Sequence, residues 1–101
     1  MIVYNVTIKT ENAIVQDWLQ WLKTEHIPDI LGTGCFMNAQ VLHLLEMDES
    51  EGITFAVQYY AQDLASYQDY IDNHAVNMRN KAFQKWGEKF IAFRSVLEIL
   101  E

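Results

Sequence analysis

Arg94 is the residue whose type and setting point most directly to chemistry. It interrupts an apolar run, Phe90-Ile-Ala-Phe-Arg94-Ser-Val-Leu-Glu98, whose alternation marks a strand. A guanidinium held on a covered sheet face needs an anionic partner, because burying it unpaired is expensive. One source of that anion is a small ligand bearing a carboxylate, with Asn5, Gln40 and Gln58, and Asn38 beside them, supplying directional hydrogen bonds. The other is a structural pair, with Glu98 or with a carboxylate of a second chain.

His26 comes second. It falls on the apolar stripe of a helix between Glu25 and Asp29, where it can act as a base oriented by Asp29 or as a core histidine near a helix end. His74 lies near the end of another apolar stripe, and His43 sits in an apolar strand. His26, His74 and a carboxylate would suit a metal, but no two histidines have the i, i+4 spacing, so no metal and no cofactor are expected. Trp18, Trp21, Tyr67, Tyr70 and Trp86 can line an aromatic pocket, with Trp18 and Tyr70 as secondary site residues, although helical spacing equally suits packing. Cys35 has no CxxC partner and no basic cluster beside it, which suits a small buried side chain.

The elements that must position these groups follow from periodicity. Ile2–Lys9 alternates as a half-buried strand. A helix capped by Thr10 or Asn12 starts near Ala13, carries Val15, Leu19, Leu22 and His26 on one stripe, and stops at Pro28 and the glycines beyond it. Cys35–Leu45 and Ile53–Tyr60 form a hairpin around an acidic turn, which lacks the ligand alternation and central glycine of a calcium loop. Asp63 caps a helical stripe running from Leu64 to Trp86, which suits either one long helix or, as expected here, two with a bend near Asn73–Val76; Gly87 ends it, and Phe90–Leu100 is the last strand. The order β-α-β-β-α-β predicts one α+β, ferredoxin-like domain over residues 1–101.

Alternation places Ile91, Phe93, Leu97 and Ile99 under the helices with Tyr4, Val6, Phe55 and Val57. It leaves Val3, Asn5, Thr7, Gln58, Tyr60, Ala92, Arg94 and Val96 on the opposite face, joined by Phe36, Asn38, Gln40 and Leu42. That face is too polar for a dry core and too uncharged for a solvated one, so a second copy is expected to cover it, giving a homodimer through the sheet face with a partly polar interior.

Composition narrows the partners. Seven basic against fourteen acidic residues give a net charge of −7, which excludes a general phosphate-backbone binder. No apolar run approaches the ~20 residues of a membrane span, and the first residues read as a strand, so a cytoplasmic address is expected.

The stretch Trp18-Leu-Gln-Trp21-Leu-Lys-Thr-Glu25-His26-Ile-Pro28-Asp29-Ile-Leu31-Gly-Thr-Gly34-Cys35-Phe36 resembles the signature of a family of short bacterial proteins of unassigned function. The likeness continues through Ala56-Val57-Gln58-Tyr59 and Phe93-Arg94-Ser95-Val96-Leu97-Glu98. More remotely, element order and the polar face resemble the dimeric α/β-barrel superfamily, which includes antibiotic-biosynthesis and haem-degrading monooxygenases. In that resemblance Asn5 matches the first-strand asparagine of the haem-degrading members. Their tryptophan falls near Tyr70 and their iron-ligating histidine near Asn80, so the iron ligand is missing unless His74 replaces it. The expectation is a small homodimer whose cavity binds an anionic or aromatic molecule on a monooxygenase-like scaffold; the alternative is a non-catalytic dimeric interaction module.

Overall fold

The structure is a computed structural model describing residues 1–101. Strands β1 (Ile2–Thr10), β2 (Asn38–His43), β3 (Ile53–Ala61) and β4 (Phe90–Glu98) form one antiparallel sheet in the order β2-β3-β1-β4. The two central strands, β1 and β3, are thus consecutive in neither direction of the chain, and each helical connection crosses over one of them. This is the split-βαβ, ferredoxin-like arrangement expected from the element order.

The first helical connection is less regular than its apolar stripe suggests. A 3-10 turn (Asn12–Ile14) leads into α1 (Val15–Trp21), then a π-helical turn (Leu22–His26), then α2 (Ile27–Leu31). Pro28 does not end the helix as expected; it sits in the first turn of α2. In a continuous α-helix its ring would collide with the carbonyl four residues back. The wider turn, in which the Ile27 N–H donates to the Leu22 carbonyl, relieves that conflict and lets the helix run on to Leu31.

Asp63 caps α3 (Leu64–Asn73) by accepting from the Ser66 N–H at 2.8 Å. The stripe breaks at His74 before α4 (Ala75–Trp86), within the expected bend, and Gly87 ends α4 at φ 61°, a conformation open chiefly to glycine.

The helices cover one sheet face. Tyr4, Val6 and Ile8 of β1 and Phe55, Val57 and Tyr59 of β3 meet Trp18, Trp21, Leu22, Ile30, Tyr70 and Met78, all buried. Phe36 stacks against Tyr4 at 6.0 Å and meets Tyr70 edge-on at 5.0 Å. This corrects the expected start of the second strand. β2 begins at Asn38, and Cys35 and Phe36 ahead of it are buried in the core rather than set on the open face.

The second correction concerns β4. Val6 pairs with Arg94, Ile8 with Ala92 and Tyr4 with Val96, so Arg94, Ala92 and Val96 lie on the helix side. Ile91, Phe93 and Leu97 lie on the open face, opposite Lys9, Thr7 and Val3. Six of the nine residues of β4 are apolar and they fall on both faces, so hydrophobic alternation could not choose the phase; pairing to β1 does.

Gly52, just before β3, approaches β1 closely: a Cβ there would stand 2.5 Å from the Thr10 carbonyl oxygen. Gly52→Ala is therefore expected to force the hairpin away from β1 and to destabilise the fold by about 1–3 kcal/mol, measured by urea unfolding.

Candidate functional site

Between the sheet and the helices lies a small cavity of about 40 Å³, lined almost entirely by apolar side chains, with His26, Arg79 and Arg94 as its charged or titratable members. It adjoins an open groove of about 590 Å³ between α4 and the edge strand β4, whose walls include Asn80, Phe83, Glu88, Phe90 and Ile91. Arg79 and Arg94 belong to both, so the two guanidiniums stand at the junction of groove and cavity.

Arg79 donates to the Tyr4 hydroxyl at 3.2 Å. Neither arginine has a carboxylate partner within the chain, whose ion pairs are His43–Glu49 and Lys81–Asp29. Glu98, the expected partner on β4, does not pair with Arg94.

His26 owes its position to the π turn. In an α-helix a side chain five positions on points about 140° away. Here the widened turn carries the imidazole of His26 back over the Trp21 ring, with centroids 4.5 Å apart and planes 19° from parallel. Desolvation, with Lys81 and Arg94 opposing a positive ring and Asp29 favouring it, lowers the His26 pKa to about 4. The ring is therefore neutral at pH 7 and able to accept a proton. Asp29 does not orient it through a hydrogen bond; its carboxylate lies 3.7 Å from Lys81 on α4.

Trp18 and Tyr70 also line the cavity; Trp18 stacks on Phe55 at 5.5 Å, and burial pushes the Tyr70 hydroxyl well above its ordinary pKa. The arrangement can hold an anion at the junction and an apolar or aromatic body along the groove, with the half-buried His26 ring on the cavity wall.

The remaining expected site residues are elsewhere. Asn5, Gln40, Gln58 and Asn38 occupy the open face, on the far side of the sheet from Arg94. Gln58 Nε2 donates to Asn5 Oδ1 (3.2 Å), and Asn5 Nδ2 donates to Thr7 Oγ1 (3.0 Å) and reaches Ser95 Oγ (3.4 Å). The Tyr60 hydroxyl lies 3.0 Å from Gln40 Oε1 and 3.1 Å from Gln58 Oε1. These contacts link side chains on all four strands, with the single Tyr60 proton shared between the two glutamine carbonyls, while Asn38 stands opposite Tyr60 at the β2 edge.

His74 joins neither set. It groups with Cys35 and Asp69, a cluster that sequence spacing could not suggest because its members come from separate elements. Arg79 was also missed, since on α4 it reads as one charge of a solvated helix face.

Solved structures with this fold cover nearly the whole chain at low identity. A dimeric ferredoxin-like protein from an uncultured marine organism is 11% identical with a TM-score of 0.67, covering 99% of this chain and 95% of its own. An ethyl tert-butyl ether d (ethd) family protein from Bacillus halodurans is 18% identical, TM-score 0.67, covering 99% and 100%. SnoaB, a cofactor-independent oxygenase from Streptomyces nogalater, is 9% identical, TM-score 0.63, covering 99% and 94%. These likenesses establish the fold. No curated protein sequence matches the chain. The model of one family, a domain of unknown function (DUF4286), matches residues 1–100, and the chain belongs to that family.

Proposed function

We propose that the protein binds a small molecule with an apolar or aromatic body and one anionic group, seated in the groove between α4 and β4. The observation that carries this reading is the pair of solvent-exposed guanidiniums, Arg79 and Arg94, at the junction of groove and apolar cavity, neither of them in an ion pair although Glu88 also stands on the groove wall. The inner cavity has room for little more than one or two water-sized groups. The body of the ligand therefore lies in the groove, and only a small substituent reaches toward His26. A neutral imidazole there suits accepting a hydrogen bond from that substituent, and burial, which lowers its pKa to about 4, makes it a weak base.

Salicylate and benzoate serve as probes, read through fluorescence of Trp21 beside the cavity. Arg94→Ala is expected to weaken binding at least about 10-fold, as loss of a charge-assisted hydrogen bond does. Arg94→Lys should retain part of it, and Gln58→Ala on the opposite face should leave it unchanged. Equal affinity in the wild type and Arg94→Ala, or no saturable quenching, would overturn the reading.

We also propose that two copies pair through their open sheet faces. That face carries none of the fourteen carboxylates and a single cation, Lys9, while Phe93 and Ile91 on it are 67% and 69% exposed in the isolated chain. The Asn5–Gln58–Gln40–Tyr60 network pairs many of its polar groups with one another, which lowers the cost of covering the face; the Gln40 amide N–H groups and one of the two glutamine carbonyls that share the single Tyr60 proton are left for groups of the second copy. Transfer of Arg94 to the other face strengthens this reading, since no guanidinium has to be buried between the copies. A single free thiol at Cys35 is in keeping with a cytoplasmic address, where thiols stay reduced.

A further inference from the structure

We propose that Cys35, Asp69 and His74 form a zinc-binding site, separate from the groove and independent of the reading given for it. Cys35 comes from the loop between α2 and β2, Asp69 from the last turns of α3, and His74 from the break between α3 and α4. One thiol, one carboxylate oxygen and one ring nitrogen lie within 4.8 Å of one another, and Cys35 Sγ is 3.4 Å from Asp69 Oδ2.

Around a tetrahedral zinc ion, with bonds of roughly 2.0–2.3 Å, donor atoms stand roughly 3.3–3.7 Å apart. Closing the present cluster onto an ion thus needs shifts of about 1 Å, within reach of the exposed Asp69 and the half-buried His74 by side-chain rotation.

Two further contacts orient the donors. Asp69 Oδ1 accepts from Asn73 Nδ2 at 2.6 Å, which leaves Oδ2 aimed at Cys35 in the manner of a carboxylate ligand held from its outer side. The His74 ring lies along Tyr70, centroids 6.3 Å apart and planes 24° from parallel. A sulfur, nitrogen and oxygen donor set selects zinc over magnesium or calcium, which prefer oxygen alone. Three protein ligands leave a fourth position for water, and the ion would clasp the segment leading into β2 to the α3–α4 break.

The full chain, stripped with a chelator, is titrated with cobalt(II) and then zinc. One equivalent of cobalt should produce a thiolate-to-metal charge-transfer band that zinc abolishes. Saturating zinc, about 100 times its Kd, should raise Tm by about 10 °C. Cys35→Ser should lose the band, and Asp69→Asn and His74→Gln should each weaken zinc binding at least about 10-fold. His43→Gln, at the separate surface pair with Glu49, should bind as the wild type does. Should Cys35→Ser fail to fold, Asp69→Asn and His74→Gln decide the matter, since their side chains are not in the core. Absence of the charge-transfer band, or zinc affinity unchanged in folded Asp69→Asn and His74→Gln, overturns the proposal.

Discussion

Phe93→Asp is expected to convert the protein from a species of twice the chain mass into one sedimenting at 11.8 kDa. Phe93 sits on the open face of edge strand β4, opposite Thr7 of β1 and beside Ile91 and Leu97, so a two-fold pairing of sheet faces places one copy of the residue in each half of the interface. An aspartate there would bury two carboxylates in a layer whose one cation is Lys9. An uncompensated buried charge costs several kcal/mol. About 4 kcal/mol of lost association free energy raises the dimer Kd about 1000-fold, enough to move a micromolar sample from dimer to monomer. The fold itself should survive, because the side chain is 67% exposed within its own chain and contributes nothing to the core under the helices. Val76→Asp, equally exposed but on the helix layer, should leave the mass unchanged. A wild-type protein sedimenting as a single chain at micromolar concentration, or a Phe93→Asp protein that remains paired, would refute face-to-face pairing.

The same strand shows why the fold was more legible in the sequence than the site. β1 and β3 each alternate one strongly apolar set with one polar set, so their phase was readable, as was the position of Asn5 opposite Gln58. β4 offers apolar residues on both sides. Large side chains, Ile91, Phe93 and Leu97, drew the inward assignment, and Arg94 was carried to the wrong face with Ala92 and Val96. That ambiguity has a physical cause if both faces of this strand end up covered, one by helices and one by a second sheet. Helix existence followed from a 3.6-residue stripe, but because that stripe stays in phase through a local bend it suited one helix as well as two, and the break at His74 comes from the structure. The π turn did not follow from a stripe either, because it depends on how the chain accommodates Pro28 rather than on any period. Since that turn is what returns His26 to the cavity wall, the orientation of the candidate base was invisible to pattern. Arg79 meeting Arg94, and Cys35 meeting Asp69, are long-range encounters that no spacing records.

Acid should destabilise the protein in a pH range that belongs to His26. Its pKa is lowered from 6.5 to about 4 in the folded state, chiefly by burial beside Trp21 and additionally by Lys81 and Arg94, against the pull of Asp29. Above pH 6.5 the ring is neutral in both folded and unfolded chains and contributes no pH dependence. As pH falls below 6.5 the unfolded chain takes up the proton first, so stability decreases, and the loss continues until the folded ring titrates near pH 4. Integrated over that window the loss is on the order of 3 kcal/mol. The carboxylates that the fold holds below their ordinary range, Asp48, Asp63 and Asp69, contribute stability that is lost only as pH falls below about 3.8, so the two effects occupy different windows. Urea unfolding of wild type and His26→Gln at fixed protein concentration, between pH 7 and 4.5, should show the wild type declining more steeply, because glutamine takes up no proton. Imidazole resonances followed by NMR should place the folded-state titration of His26 well below that of the unfolded chain. Arg94→Ala should raise it, since one of the two opposing cations is gone. Parallel stability profiles for wild type and His26→Gln, or a folded-state titration near 6.5, would mean that the ring stands in water rather than against Trp21 on the cavity wall, and the reading of His26 as a neutral hydrogen-bond acceptor for the ligand would fall with it.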